Sequence, residues 1–242
     1  MLKCSHIICK VENIAAVVRD YQALGFAMEW GSAPERVQNA LLWFEQGPFI
    51  EFFQIPGAFT YLSFPLGLIY GNAAGKRWRY WSKAGEGWCD VALEPEHINN
   101  LEIPDAAANQ GKLRRIKLAV NSSGISTSRI IKGRRIRPDG IEVRYSLFAP
   151  APASLPFVVS HYDPPQRPEK IRHPNGASGV EWVKMGVAED LISRFRALTL
   201  GDQWLRIEPS VKTSVMEVGL HGLKTRLDPG FLHGAIFSAV DK

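Results

Sequence analysis

The chain is poor in cysteine, with three among 242 residues, Cys4, Cys9 and Cys89. An odd count without CxxC spacing excludes a disulfide framework and a structural zinc knot, so these thiols are expected in the core. No apolar run is long enough to span a bilayer, and the N-terminus lacks the ordered charged, apolar and small-residue regions of a signal peptide. A soluble, cytoplasmic chain with no membrane partner is the expectation. The net charge of +5 comes from clusters at Lys76–Tyr80 (KRWRY), Arg114–Arg115 and Lys132–Arg137 (KGRRIR). No helix-turn-helix, finger or RNA-stacking motif accompanies them, so nucleic acid is not an expected partner. They read as solvated strands and loops, or as the lining of a pocket for a small anion. A hydrophobic content of 45% excludes disorder and suffices for a large core.

What is present is a short strand-helix-strand unit. Ser5 to Val11 is rich in β-branched residues and places His6, Ile8 and Lys10 on one face, with Ile7, Cys9 and Val11 on the other. Asn13 is a suitable helix cap, Ile14, Val17, Val18, Tyr21 and Leu24 recur at helical spacing, and Gly25 ends the run. A helix laid over the Ile7 and Cys9 face leaves His6 on the uncovered one.

The spacing predicts further strands at Gln38–Phe44, at Pro48–Pro56 after a Gly47-Pro48 turn, and at Gly87–Leu93. In PFIEFFQIP, Phe49, Glu51 and Phe53 share a face, and an acid between two aromatics is expensive to bury uncompensated. Tyr61–Tyr80 reads as a connector that forms a helix or a lid. Pro95–Gln110 reads as a poor helix broken at Pro104, with Ile116–Val120 and Ile125–Arg137 extended. Pro138-Asp139-Gly140 is a hairpin turn, with the segment from Ile141 as its returning partner.

Two repeats follow. PFIEFFQIP aligns with PFVVSHYDP, setting Phe49 on Phe157, Glu51 on Val159 and Phe53 on His161. KVENIAAVVRDYQALGF aligns with KMGVAEDLISRFRALTL, setting Tyr21 on Phe195, while His6 falls on Val180 and is not repeated. His173-Pro174-Asn175-Gly176 reads as a turn, and His97, His221 and His233 have no partner visible in sequence. Trp43, Trp78 and Trp81 are candidates to stack on a ligand, with core packing as the alternative.

His6 at the head of the first strand, YQALGF closing the helix, Asn39 leading a strand with Gly47 and FIEFF after it, and the later RIRPDGIEVRYSL, PFVVSHYDP and HPNG segments resemble the glyoxalase-like proteins of the vicinal oxygen chelate superfamily. The resemblance implies an α+β fold. Paired βαβββ modules, about 1–56 and 84–165, form a half-open barrel within 1–176, and a third βαβββ-like unit follows at 177–242. It also implies a divalent metal, Zn, Fe, Mn or Ni, held by His6, Glu51 and His161. The second module offers only Cys89 or Asp90 where a further first-strand ligand is usual.

Glu51 then serves as ligand or base, and Asn39, Trp43, Arg135, Arg137 and Arg144 line the substrate site, the arginines as clamps for a carboxylate or phosphate. The expected activity is that of a metal-dependent lyase, isomerase or dioxygenase acting on a small oxygenated, anionic molecule. The alternative is a metal-free protein that binds or sequesters a small molecule. The third unit has three roles open to it: pairing within the chain, covering the cleft, or forming a homodimer interface.

Overall fold

The structure, a computed structural model, describes residues 1–33, 38–96 and 106–240. β1 (Leu2–Lys10) leads into α1 (Ile14–Ala23), whose first turn is capped by Asn13 accepting from the Ala16 N–H at 3.0 Å. The helix buries Ile14, Val17, Val18 and Tyr21, and Gly25 at φ 80 turns the chain back. Three strands complete the module: β2 (Glu29–Trp30), β3 (Asn39–Leu42) and β4 (Phe49–Phe53). The second module is β5 (Gly87–Pro95), α4 (Ala106–Ser122), β6 (Ile131–Ile136), β7 (Glu142–Phe148) and β8 (Phe157–Val159). Between the modules lie α2 (Ser63–Tyr70) and α3 (Asn72–Lys83).

The eight strands form one sheet ordered β2-β3-β4-β1-β5-β8-β7-β6, which reads as the first module followed by its own reversal. In each module the first strand runs parallel to the last, His6 opposite Phe49 and Ala92 opposite Phe157. β1 and β5 are antiparallel at the centre, where His6 faces Ala92. This is the expected half-open barrel of repeated modules.

The third unit is βαβββ in element order: β9 (Gly179–Ala188), α5 (Ile192–Leu198), β10 (Leu205–Ser210), β11 (Ser214–His221) and β12 (Phe237–Val240). Its sheet is ordered β10-β9-β11-β12, so β9 pairs with the strand directly after the helix rather than with the last one. It packs on the helix-bearing side of the barrel: Phe237 meets Tyr21 and Trp88, and the Tyr21 hydroxyl donates to the Leu232 carbonyl at 3.2 Å. The buried apolar cluster is continuous from α1 through β5 to α5 and β11.

One expectation changes and one open choice is settled. Ile116–Val120, expected to be extended, lies inside α4, where the run from Ala106 holds no proline to break the helix. The connector is two helices, α3 forming one wall of the barrel cavity. The expected break at Pro104 and His97 lie outside the described residues. No helix among the described residues is long and apolar enough to cross a membrane.

Candidate active site

Strand parity delivers His6 to the concave face, and a bulge sets that parity. Leu2 and Cys4 belong to the main core, as do Ile7, Cys9 and Val11, so the alternation shifts by one residue between them. The register against β5 jumps there, from Cys4 opposite Leu93 to His6 opposite Ala92. The extra residue is Ser5; if the alternation ran unbroken through it, His6 would share the face of Cys4 and point into the core.

β4 brings Phe49, Glu51 and Phe53 to the same cavity while Ile50 and Phe52 go to the core, fully buried. The cavity holds about 150 Å³, the share of roughly five water molecules. Besides these residues its walls include Asn39, Trp81, Arg135, Tyr145, Phe157, Val159, Tyr162 and Gln166. The His6 ring stacks on Phe49 at 4.6 Å and meets Phe157 edge-on at 5.7 Å.

Hydrogen bonds fix the protonation pattern. Ser5 Oγ donates to Glu94 Oε2 at 3.0 Å, so toward His6 Nδ1, 3.2 Å away, it acts as acceptor. That network assigns the imidazole proton to Nδ1 and leaves Nε2 with a bare lone pair. Nε2 lies 3.5 Å from Glu51 Oε2. Burial pushes the His6 pKa down to about 3, so the ring is neutral at pH 7 and the contact is no ion pair. Two acceptors therefore converge on one gap, which suits a shared proton or a donor from a ligand.

Glu51 is about a fifth exposed, only into the cavity, and burial raises its pKa. The Asn39 amide, donating to Oε1 at 2.8 Å, and the Arg135 charge oppose that rise. Tyr145 and Tyr162 are pushed up by burial and then by the charge of Glu51, so both hydroxyls stay protonated donors.

The mouth is tied across the two edges of the sheet. Arg135 on β6 donates to the Gly31 carbonyl, beside β2, and to Gln166 Oε1. A Cβ on Gly31 would fall 1.9 Å from Asn39 Oδ1, so glycine there lets Asn39 reach Glu51.

Of the expected site residues, the structure gathers His6, Glu51, Asn39 and Arg135. His161 is a correction: it lines a separate cavity of about 510 Å³ with Lys132 and Arg144, and its Nε2 lies 2.5 Å from the Pro95 carbonyl. β8 ends at Val159, strand alternation stops with it, and Tyr162 returns to the site instead. Arg144 points to that other cavity and pairs with Glu142 at 2.8 Å, and Arg137 pairs with Asp139 at 2.7 Å. Trp43 lies behind Phe49, ring centroids 4.1 Å apart. Cys89 is buried, and Asp90 is held by the Arg77 guanidinium and the Trp81 indole.

The module symmetry tests the fit of a metal. The positions equivalent to His6 and Glu51 are Ala92 and Val159, neither of which can ligate. Among the described residues no group of three His, Cys, Asp or Glu side chains converges. Two protein donors fall short of the three that catalytic metal sites use, so the described residues do not by themselves complete a resident metal site.

The other described histidines have structural partners. His173 accepts from the Ala27 N–H and donates to the Trp43 carbonyl, His233 meets Asp20 at 2.9 Å, and His221 meets Glu181 at 3.3 Å. Tyr145, Tyr162 and Gln166 were not legible as site residues. Phe157 was not named for the site either, although its alignment with Phe49 was a signal that could have found it.

Residues 4–199 match the sequence model of the glyoxalase-like domain. No curated protein sequence matches the chain. Among solved structures, a hypothetical protein from Staphylococcus aureus is 14% identical with a TM-score of 0.65, over 99% of this chain and 100% of that one. A Mn(II)-bound glyoxalase from Novosphingobium aromaticivorans is 9% identical with a TM-score of 0.49, over 90% of this chain and 65% of its own. A variant of homoprotocatechuate 2,3-dioxygenase from B. fuscum is 9% identical with a TM-score of 0.45, over 90% and 56%. The last two likenesses are too loose to bear on this chain's chemistry.

Proposed function

The chain belongs to the glyoxalase-like domain family, and from that premise we propose an enzyme that moves a proton on a small oxygenated molecule, with Glu51 as the base. The observation that carries this is the pair of facing acceptors, neutral His6 Nε2 and Glu51 Oε2, in a small aromatic cavity. A substrate hydroxyl donates to His6 Nε2, which places the neighbouring carbon against Glu51. Glu51 takes the proton from the carbon next to a carbonyl. Burial, which raises the carboxyl pKa, brings its proton affinity closer to that of such a substrate. The enolate oxygen that forms meets the cavity's donors, Tyr145, Tyr162 and the remaining N–H groups of Arg135. The aromatic walls exclude water and select a substrate of a few heavy atoms. In an isomerisation Glu51 returns the proton to the adjacent carbon while the hydroxyl proton passes by way of His6 Nε2 to the former carbonyl oxygen; in a lyase reaction Glu51 keeps the proton and a leaving group on the adjacent carbon departs with its bonding pair.

The test is solvent-deuterium wash-in, followed by NMR, over a panel of small α-hydroxyketones and α-hydroxyaldehydes. Glu51→Gln is expected to lower the rate by roughly 10²–10⁴ while the fold persists. Equal wash-in by wild type and Glu51→Gln refutes the assignment, and so does activity that a chelator abolishes.

A further inference from the structure

The connector between the modules carries a surface that the cavity does not use. From Gly57 to Lys83 the chain has no Asp or Glu, and it contains Lys76, Arg77, Arg79 and Lys83. Arg77 is turned inward onto Asp90. α2 buries none of its residues. Phe64, Leu68 and Ile69 are 73%, 68% and 56% exposed, and Tyr61 in the preceding turn is 83% exposed. An apolar edge of this kind on a folded chain marks a contact surface.

α2 rests on α3 backbone to backbone: a Cβ on Gly75 would lie 3.0 Å from Gly67 Cα. The solvent stripe of α3, Asn72, Lys76, Arg79 and Lys83, therefore runs beside the apolar edge within about one helix diameter. None of these three cations forms an ion pair with a described residue. With Lys212 they line a groove of about 600 Å³ alongside Tyr80 and Trp88, in which Glu86 is the one acid among the lining residues.

The charge decides between occupants. A twofold contact with a second copy sets a self-complementary patch against itself and brings the acid-free cations together. An anionic lipid surface instead complements both features, taking apolar and aromatic side chains at the acyl boundary and Lys and Arg at its headgroups. We propose that the α2–α3 hairpin docks the protein peripherally on an anionic lipid surface, with Phe64, Leu68 and Ile69 entering the interface and Lys76, Arg79 and Lys83 meeting the headgroups. This is adsorption, without a spanning segment, and it is independent of the chemistry at Glu51. Because α3 also carries Trp81 into the cavity wall, docking sets one wall of the site next to the lipid.

Vesicle flotation of the full chain tests it, using phosphatidylcholine alone and with roughly a third phosphatidylserine. Binding is expected with the anionic vesicles only, reversed by high salt. Lys76→Gln, Arg79→Gln and Lys83→Gln each lower the partition about fivefold. Phe64→Ser with Leu68→Ser abolishes it, and these exposed positions leave the melting temperature unchanged. Equal binding to both vesicles, no binding to either, or binding indifferent to the α2 substitutions overturns the proposal. A wild-type dimer that the α2 variant splits overturns it too and assigns the face to a second copy.

Discussion

Replacing Arg77 with methionine isolates the buried ion pair that holds the α3 wall of the site. Arg77 is 2% exposed; it bonds Asp90 Oδ2 and also donates to the Leu155 carbonyl at 2.5 Å. Asp90 keeps two other donors, the Trp81 indole at 2.6 Å and the Val91 N–H at 2.8 Å. Breaking a buried pair costs about 3–5 kcal/mol, and the remaining donors put this one near the lower bound, about 3 kcal/mol. For a chain of this size that is a fall in Tm of about 6–12 °C.

The sign of the pH dependence follows from Asp90. Burial raises its pKa and Arg77 opposes the rise, so losing Arg77 raises it further. A carboxyl whose folded pKa lies above its unfolded value costs stability above the folded pKa and ceases to do so below the unfolded one. The Arg77→Met deficit is thus greatest at neutral pH and shrinks toward pH about 4. Adding Asp90→Asn removes the unpaired charge and recovers at least half of the loss. Urea denaturation of wild type, both single variants and the double variant, at neutral and acid pH, measures all of this. A deficit that is independent of pH, or a double variant less stable than Arg77→Met alone, refutes the reasoning.

Three further outcomes are expected. His6 binds no proton in the fold until about pH 3, whereas the unfolded chain binds one below about 6.5, so this group's contribution to stability falls as pH drops between those values. His6→Gln therefore narrows the loss between pH 7 and pH 5 by about 2 kcal/mol in urea titrations, and an unchanged pH slope would falsify the burial argument. Gly31→Ala forces Asn39 off Glu51 at a cost of about 1–3 kcal/mol, and deuterium wash-in drops with it; wild-type exchange in this variant removes Asn39 from the site. Ala92→His with Val159→Glu supplies the missing symmetric donors. That variant is expected to retain stoichiometric Mn(II) or Ni(II) through dialysis and to gain Tm when metal is added, and failure to do either contradicts the assigned equivalence.

The first module was readable because each local rule agreed with its neighbours. The Asn13 cap, the spacing from Ile14 to Tyr21 and the Gly25 stop define α1, and period-two alternation puts Glu51 between Phe49 and Phe53 on the concave face. The PFIEFFQIP–PFVVSHYDP alignment located β8, and its pairing of Glu51 with Val159 agrees with the strand register. What escaped reading was whatever depends on where a strand stops. His161 shares the parity of Val159 in sequence but lies past the end of β8. Ala92 was hidden because a second register shift, opposite Ile8 and Cys9, displaces Cys89 and Asp90 from the positions that counting assigns them. Arg135 was legible as a cation but not as the tie across the mouth, since Gly31 is 104 residues away along the chain.

The palindromic sheet has one more consequence. Its two halves are related by a pseudo-twofold, yet one half carries His6 and Glu51 where the other has Ala92 and Val159. On the proposed chemistry, a flat enolate lying between them would meet Glu51 as proton carrier on one face and Val159 on the other. If the proposed proton transfer holds, proton return is confined to one face, and a backbone that is nearly symmetric would yield a product of single handedness.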